Sequence, residues 1–81
     1  GRNIMAKVLV GIATYKRPQM LRRLLRSIEK FETDADVQIL VADNDSNARD
    51  GIAVVDELRT SGYRFPLTGA VVEKHGLKVL A

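Results

Sequence analysis

Lys7-Val8-Leu9-Val10-Gly11-Ile12-Ala13 is a nearly continuous apolar run, and its reading decides the fold. A run of that kind reads as a strand covered on both faces, which favours a parallel sheet. Thr14 to Pro18 follow as a polar turn. Pro18 suits the first position of a helix, where its missing N–H has no partner to lose. Beyond it, Met20, Leu21, Leu24, Leu25, Ile28 and Phe31 recur at helical spacing as one broad apolar stripe, with the arginines on the other side. The spacing predicts a helix over 18–32. Arg17 is a poor side-chain cap for it, and basic residues near its start oppose the helix dipole; a bound anion would relieve that cost.

The pattern then repeats. Val37 to Ala42 make a second buried strand, which ends in the polar cluster Asp43-Asn44-Asp45-Ser46-Asn47. Asn47 can cap a following helix, with Asp50 three residues on as in a capping box. Ile52, Val55 and Leu58, with Val54 alongside, give that helix its apolar line over 48–61, and Gly62 suits its C-terminal cap. Gly51 inside it costs about 1 kcal/mol of helix propensity. Residues 63–67 read as a loop or the start of an extended piece, 69–73 as a third strand, Gly76 as a turn, and 77–81 as a short tail of unassigned state. The order is β-α-β-α-β. Right-handed crossovers make the three strands parallel, in spatial order 3-2-1. The expected fold class is α/β: a three-layer, Rossmann-like half-domain filling residues 1–81.

Composition is ordinary for a globular chain: 81 residues, 46% apolar, 28% charged, with only two prolines and six glycines. So short a chain buries roughly 60–65% of its extended surface, and its core is thin. Zero cysteines exclude disulfides, a thiol nucleophile and thiolate metal sites. A single histidine, His75, excludes a multi-histidine zinc centre and reads as a loop residue without chemistry. No apolar run approaches the roughly 18 residues of a membrane span, and no secretory pattern opens the chain. A cytoplasmic location is expected, with peripheral contact at the cytoplasmic membrane face as an extension of it. Net charge is +3, and six basic residues, Lys16, Arg17, Arg22, Arg23, Arg26 and Lys30, crowd the first helix. They suit a phosphate, a nucleic acid, an anionic surface, or simply water. No DNA- or RNA-binding motif accompanies them, so nucleic acid is not expected as a partner.

Open parallel sheets bind ligands beyond the carboxyl ends of their strands. Three polar groups fall there: Thr14 to Arg17, Asp43 to Asp45, and Glu73 to His75. Neither GxGxxG nor GxxxxGK[ST] is present, so phosphate would be held by side chains or by few backbone amides. Tyr15 offers an aromatic face and Arg17 a cation. Asp43 suits a base N–H or a sugar hydroxyl; it equally suits a turn in which it satisfies backbone amides. Asp45 suits the same ligand or a helix start.

Val8-Leu-Val-Gly-Ile-Ala-Thr-Tyr-Lys-Arg-Pro-Gln-Met-Leu-Arg-Arg-Leu-Leu-Arg-Ser-Ile28 resembles the opening of family 2 glycosyltransferases, an apolar strand, Pro-Thr-Tyr-Asn-Arg and a Leu-rich helix. Ile39-Leu-Val-Ala-Asp-Asn-Asp-Ser46 is similar to their Val-Val-Asp-Asn/Asp-Gly/Asp-Ser signature, and 28 residues separate Thr14 from Asp43, as in the family. Residues 49–76 resemble the bacterial exopolysaccharide-type members, with Gly76-Leu77 at their Gly-Ile turn. Ala13 replaces the family's proline and Lys16 its asparagine.

The resemblance implies a truncated GT-A fold that binds a nucleotide-diphosphate sugar, such as a UDP-sugar. Thr14 and Tyr15 would line the nucleotide pocket, with Arg17 nearby. Asp43 would bond the base, Asp45 would stand beside it, and Lys78 would replace an arginine that assists the diphosphate. The family's Asp-x-Asp motif for Mg or Mn, its base and its acceptor site come after a further strand, beyond residue 81. No catalytic residue and no cofactor is therefore assigned here. The whole enzyme would transfer a sugar to a glycan or lipid-linked acceptor in polysaccharide biosynthesis, and this portion would be inactive alone. The alternative is a non-catalytic α/β module acting through self-association or a protein partner. A bare edge beside strand one, with apolar surface next to it, predicts a homo-oligomer.

Overall fold

Strands alternate their side chains between two faces, so burial along a strand reports which face is covered. In the computed structural model, which describes residues 6–74 and 76–80, the elements are β1 (Lys7–Thr14), α1 (Pro18–Glu29), β2 (Asp36–Asp43), α2 (Asp50–Thr60), β3 (Leu67–Glu73) and β4 (Gly76–Leu80). Along β2, Val37, Ile39, Val41 and Asp43 are buried while Gln38 is exposed. Val37, Ile39 and Val41 join Leu21 and Leu25 of α1, Val54, Val55 and Leu58 of α2, and Leu67 of β3 in one core. Both helices therefore lie on one face of the sheet. The molecule is a two-layer α/β structure, not the three-layer one expected from unbroken apolar runs. On the other face Leu9, Val72, Leu77 and Val79 remain exposed.

The sheet is mixed and four-stranded, in the order β1-β2-β3-β4. β1 pairs with β2 and β2 with β3 in parallel, and β3 pairs with β4 antiparallel. The fourth strand corrects the expected tail and the all-parallel sheet. Its residues Gly76, Leu77, Lys78, Val79 and Leu80 lie opposite Glu73 back to Gly69. A five-residue strand is too short for its own periodicity to declare it; the cross-strand ladder with β3 makes it. His75 lies outside the described residues.

Helix α1 stops at Glu29, three residues before the predicted end at 32. Its stripe also splits. Leu21 and Leu25 are buried, whereas Met20, Leu24 and Phe31 stand at 57%, 45% and 68% exposure. The turn after α1 is held from a distance. The Arg64 guanidinium donates to the carbonyls of Glu29 and Phe31, and the Arg64 amide donates to Glu29 Oε2. Hydrogen bonding from Arg26 and from that amide holds the Glu29 carboxyl below the usual range. The Tyr63 hydroxyl donates to the Leu25 carbonyl. Burial, reinforced by the Glu29 charge, pushes that phenol up to about 12.

Helix α2 ends in a Schellman motif: the Tyr63 amide reaches the Leu58 carbonyl, the Gly62 amide the Arg59 carbonyl, and Gly62 takes φ +87°. Its start is not the predicted Asn47 cap. The residue before the helix is Arg49, left-handed at φ 55° and without a side-chain cap bond. The capping oxygen comes from Asp43, eight residues upstream of Gly51.

Candidate functional site

Because β1 and β2 run parallel with Thr14 opposite Asp43, the polar groups after the two strands stand side by side. The ladder continues one step past the strands, where the Asn44 amide donates to the Thr14 carbonyl at 2.9 Å. The chain then leaves β1 through Tyr15 and Lys16. Lys16 adopts a left-handed φ of 51°, which turns the backbone sharply toward Pro18 and α1. Its ammonium sits 5.3 Å from the centre of the Tyr15 ring, a cation–π contact at a half-exposed aromatic.

The turn opens a cleft of about 620 Å³ between the end of β1 and the first turns of α1. Ile12, Leu21 and Leu24 form its apolar floor and wall, and Thr14, Tyr15, Arg17 and Asn44 bring polar groups to it. Tyr15 is 53% exposed, so beyond the Lys16 contact its ring still has surface open to a planar ligand. The Arg17 guanidinium makes one hydrogen bond among the described residues, donating to the Met20 sulfur at 3.5 Å. Such a site can stack an aromatic base, read its edge with an amide, and place a cation nearby.

Asp43 does not open onto this cleft. It is in phase with Val41 and Ile39, so its side chain points under α2 and is fully buried. Oδ1 accepts the Asp45 amide at 2.9 Å, and Oδ2 accepts the amides of Gly51 at 2.9 Å and Ile52 at 3.3 Å. Of the two readings open from sequence, the observed geometry is the one in which Asp43 satisfies backbone amides. The Gly51 and Ile52 amides are unpaired donors of the first turn of α2, where a carboxylate is favoured by the helix dipole. Gly51 makes the approach possible. A Cβ there would lie 3.0 Å from Asp43 Oδ2 and 2.7 Å from Thr14 Cγ2.

Asp45 is also mostly buried. Its Oδ1 accepts the amides of Asn47 and Ala48, and its Oδ2 has no hydrogen-bond partner among the described residues. Lys78 is not brought to the cleft. It sits in β4, in register with Val71, Asp43 and Thr14, three strand spacings or about 14 Å from the last of these. It lines a separate hollow with Glu73, Lys74 and Leu77.

Asn44 stood in the polar group after strand two, but sequence reasoning gave it no role of its own. Its signal was present in the alternation: once Val37, Ile39 and Val41 are assigned inward, Asp43 follows them inward, and the next polar residue is the first free to leave the sheet. Among the described residues no group of three or more histidine and carboxylate side chains is placed to hold a metal ion. No helix among the described residues is long and apolar enough to cross a membrane. No family model, no curated protein and no solved structure matches the chain.

Proposed function

We propose that this chain is the nucleotide-binding portion of a glycosyltransferase of Rossmann-like GT-A type, and that it holds the nucleoside diphosphate of a UDP-sugar or similar donor. The observation that supports this reading is the convergence of Thr14, Tyr15, Arg17 and Asn44 on one cleft at the carboxyl ends of two parallel strands. Tyr15 stacks the base. The Asn44 side-chain amide carries both a donor and an acceptor, which matches the edge of a uracil. Arg17 meets the diphosphate. Asp43, proposed from sequence as the base contact, becomes a positioning residue: it locks the Asp43–Ile52 segment so that Asn44 is presented at a fixed angle.

The divalent cation implied by the family resemblance does not fit these residues. Three of the carboxylate oxygens of Asp43 and Asp45 are committed to backbone amides, and no third acid joins them. No step through a metal is derived, and the chain is proposed to bind without transferring.

Titration calorimetry with UDP and with uridine tests the reading. UDP is expected to bind weakly, and Asn44→Ala or Tyr15→Ala to weaken it about tenfold, with the melting temperature unchanged. Absence of UDP binding at millimolar concentration, or binding indifferent to both substitutions, overturns it.

A further inference from the structure

Lys16 is a charged residue at the cleft mouth that the ligand contacts proposed above leave unused. Its backbone takes a left-handed φ of 51°, a conformation that glycine or asparagine holds with less strain. The turn alone gives no reason for a lysine, and strain of this kind points to use of the side chain. Arg49 shows the contrast. It is the other left-handed side chain among the described residues, and its Nε donates to the Ser46 carbonyl of its own turn. The Lys16 ammonium lies instead over the Tyr15 ring, 5.3 Å from its centre.

No acid answers that charge. Residues 7–28 contain none, and the ion pairs among the described residues are Arg22 with Glu57 and Arg26 with Glu29. An ammonium held by an exposed aromatic face is held weakly, and the flexible four-carbon stem of lysine lets it swing away. Tyr15 and Arg17, its two neighbours in the chain, both line the cleft.

Resting on the nucleotide reading above, we propose that Lys16 is an exchangeable cation. A base stacking on Tyr15 displaces the ammonium from the ring, and the ammonium moves to the phosphates of the same ligand. The cleft thereby selects nucleoside diphosphates over nucleosides. A neutral nucleoside must break the cation–π contact and gives the ammonium nothing in return. A nucleoside diphosphate offers it a charge-assisted partner beside Arg17.

Lys16→Met removes the charge and keeps an unbranched stem, so its cost in the left-handed turn is that of lysine. Titration calorimetry on this variant should show uridine binding about threefold tighter, with no ammonium to displace, and UDP binding about threefold weaker. The opposite signs are the signature, since a disturbed turn would weaken both ligands. Lys16→Arg should keep the parent chain's preference for UDP. NMR reads the exchange on the unsubstituted chain: the Lys16 Hε protons should lie upfield under the Tyr15 ring current and move back when uridine or UDP is added. UDP that does not bind brings down the nucleotide reading and this inference with it. Where UDP binds, Lys16→Met moving both ligands in one direction or neither, or Hε shifts that ignore the ligand, overturns the exchange alone and leaves that reading standing.

Discussion

Gly51 and Asp43 form one unit: the Gly51 amide donates to Asp43 Oδ2 at 2.9 Å, across a gap that no side chain at 51 would leave open. A helix glycine that looks costly by propensity is what allows a strand-end carboxylate to reach the helix N-terminus. The end of β2 and the start of α2 are thereby fixed to each other.

Gly51→Ala separates propensity from packing. Helix propensity alone would stabilise by about 1 kcal/mol. Against it stand the contacts at 2.7 and 3.0 Å to Thr14 and Asp43, neither at the end of a long flexible side chain. Overpacking wins, and urea denaturation should show a net loss of about 1–2 kcal/mol.

Asp43→Ala leaves three buried amides, of Asp45, Gly51 and Ile52, without their acceptor. A loss of about 3 kcal/mol or more is expected, which a domain this small barely tolerates. Any loss of ligand binding in that variant should track unfolding in a thermal melt, whereas Asn44→Ala keeps its melt.

Arg17 should act on phosphate and not on base. Arg17→Ala is expected to weaken UDP about tenfold and to leave uridine unchanged, with the UDP difference shrinking at high salt. Equal effects on both ligands in a titration would place Arg17 elsewhere.

Tyr63 predicts an alkaline slope. Its phenol is held at about 12 when folded, against 10.0 for a free tyrosine. Between those values the unfolded chain has shed the proton and the folded chain has not, so the unfolded state is favoured as pH rises. The stability contribution is whole below pH 10 and is lost as pH rises toward 12. Tyr63→Phe should lose about 1 kcal/mol at neutral pH with the Leu25 hydrogen bond, and its denaturant midpoint should fall less between pH 10 and 12 than that of the parent chain.

The segments with long periodicity were legible: Lys7 to Ala13 and Val37 to Ala42 as strands, and the Leu21–Leu25 spacing as a helix. The Gly62 cap was legible too, because only a residue tolerant of positive φ fits there. What failed needed partners distant in sequence. Gly76 to Leu80 become a strand only against β3, and the Arg64 contacts to the turn after α1 join residues about thirty apart. Unbroken apolar runs suggested cover on both faces, yet Leu9 stands at 71% exposure. In the site, Tyr15 and Arg17 could be placed from their position after β1. Asp43 was open between two uses because identity and spacing alone do not say which way a strand-end side chain points.

Helices on only one side leave Leu9, Val72, Leu77 and Val79 exposed to water on the other face. The native fold would thus bind amphiphilic dyes without any melting, and sulfate would salt it out at concentrations that spare proteins of equal size and charge.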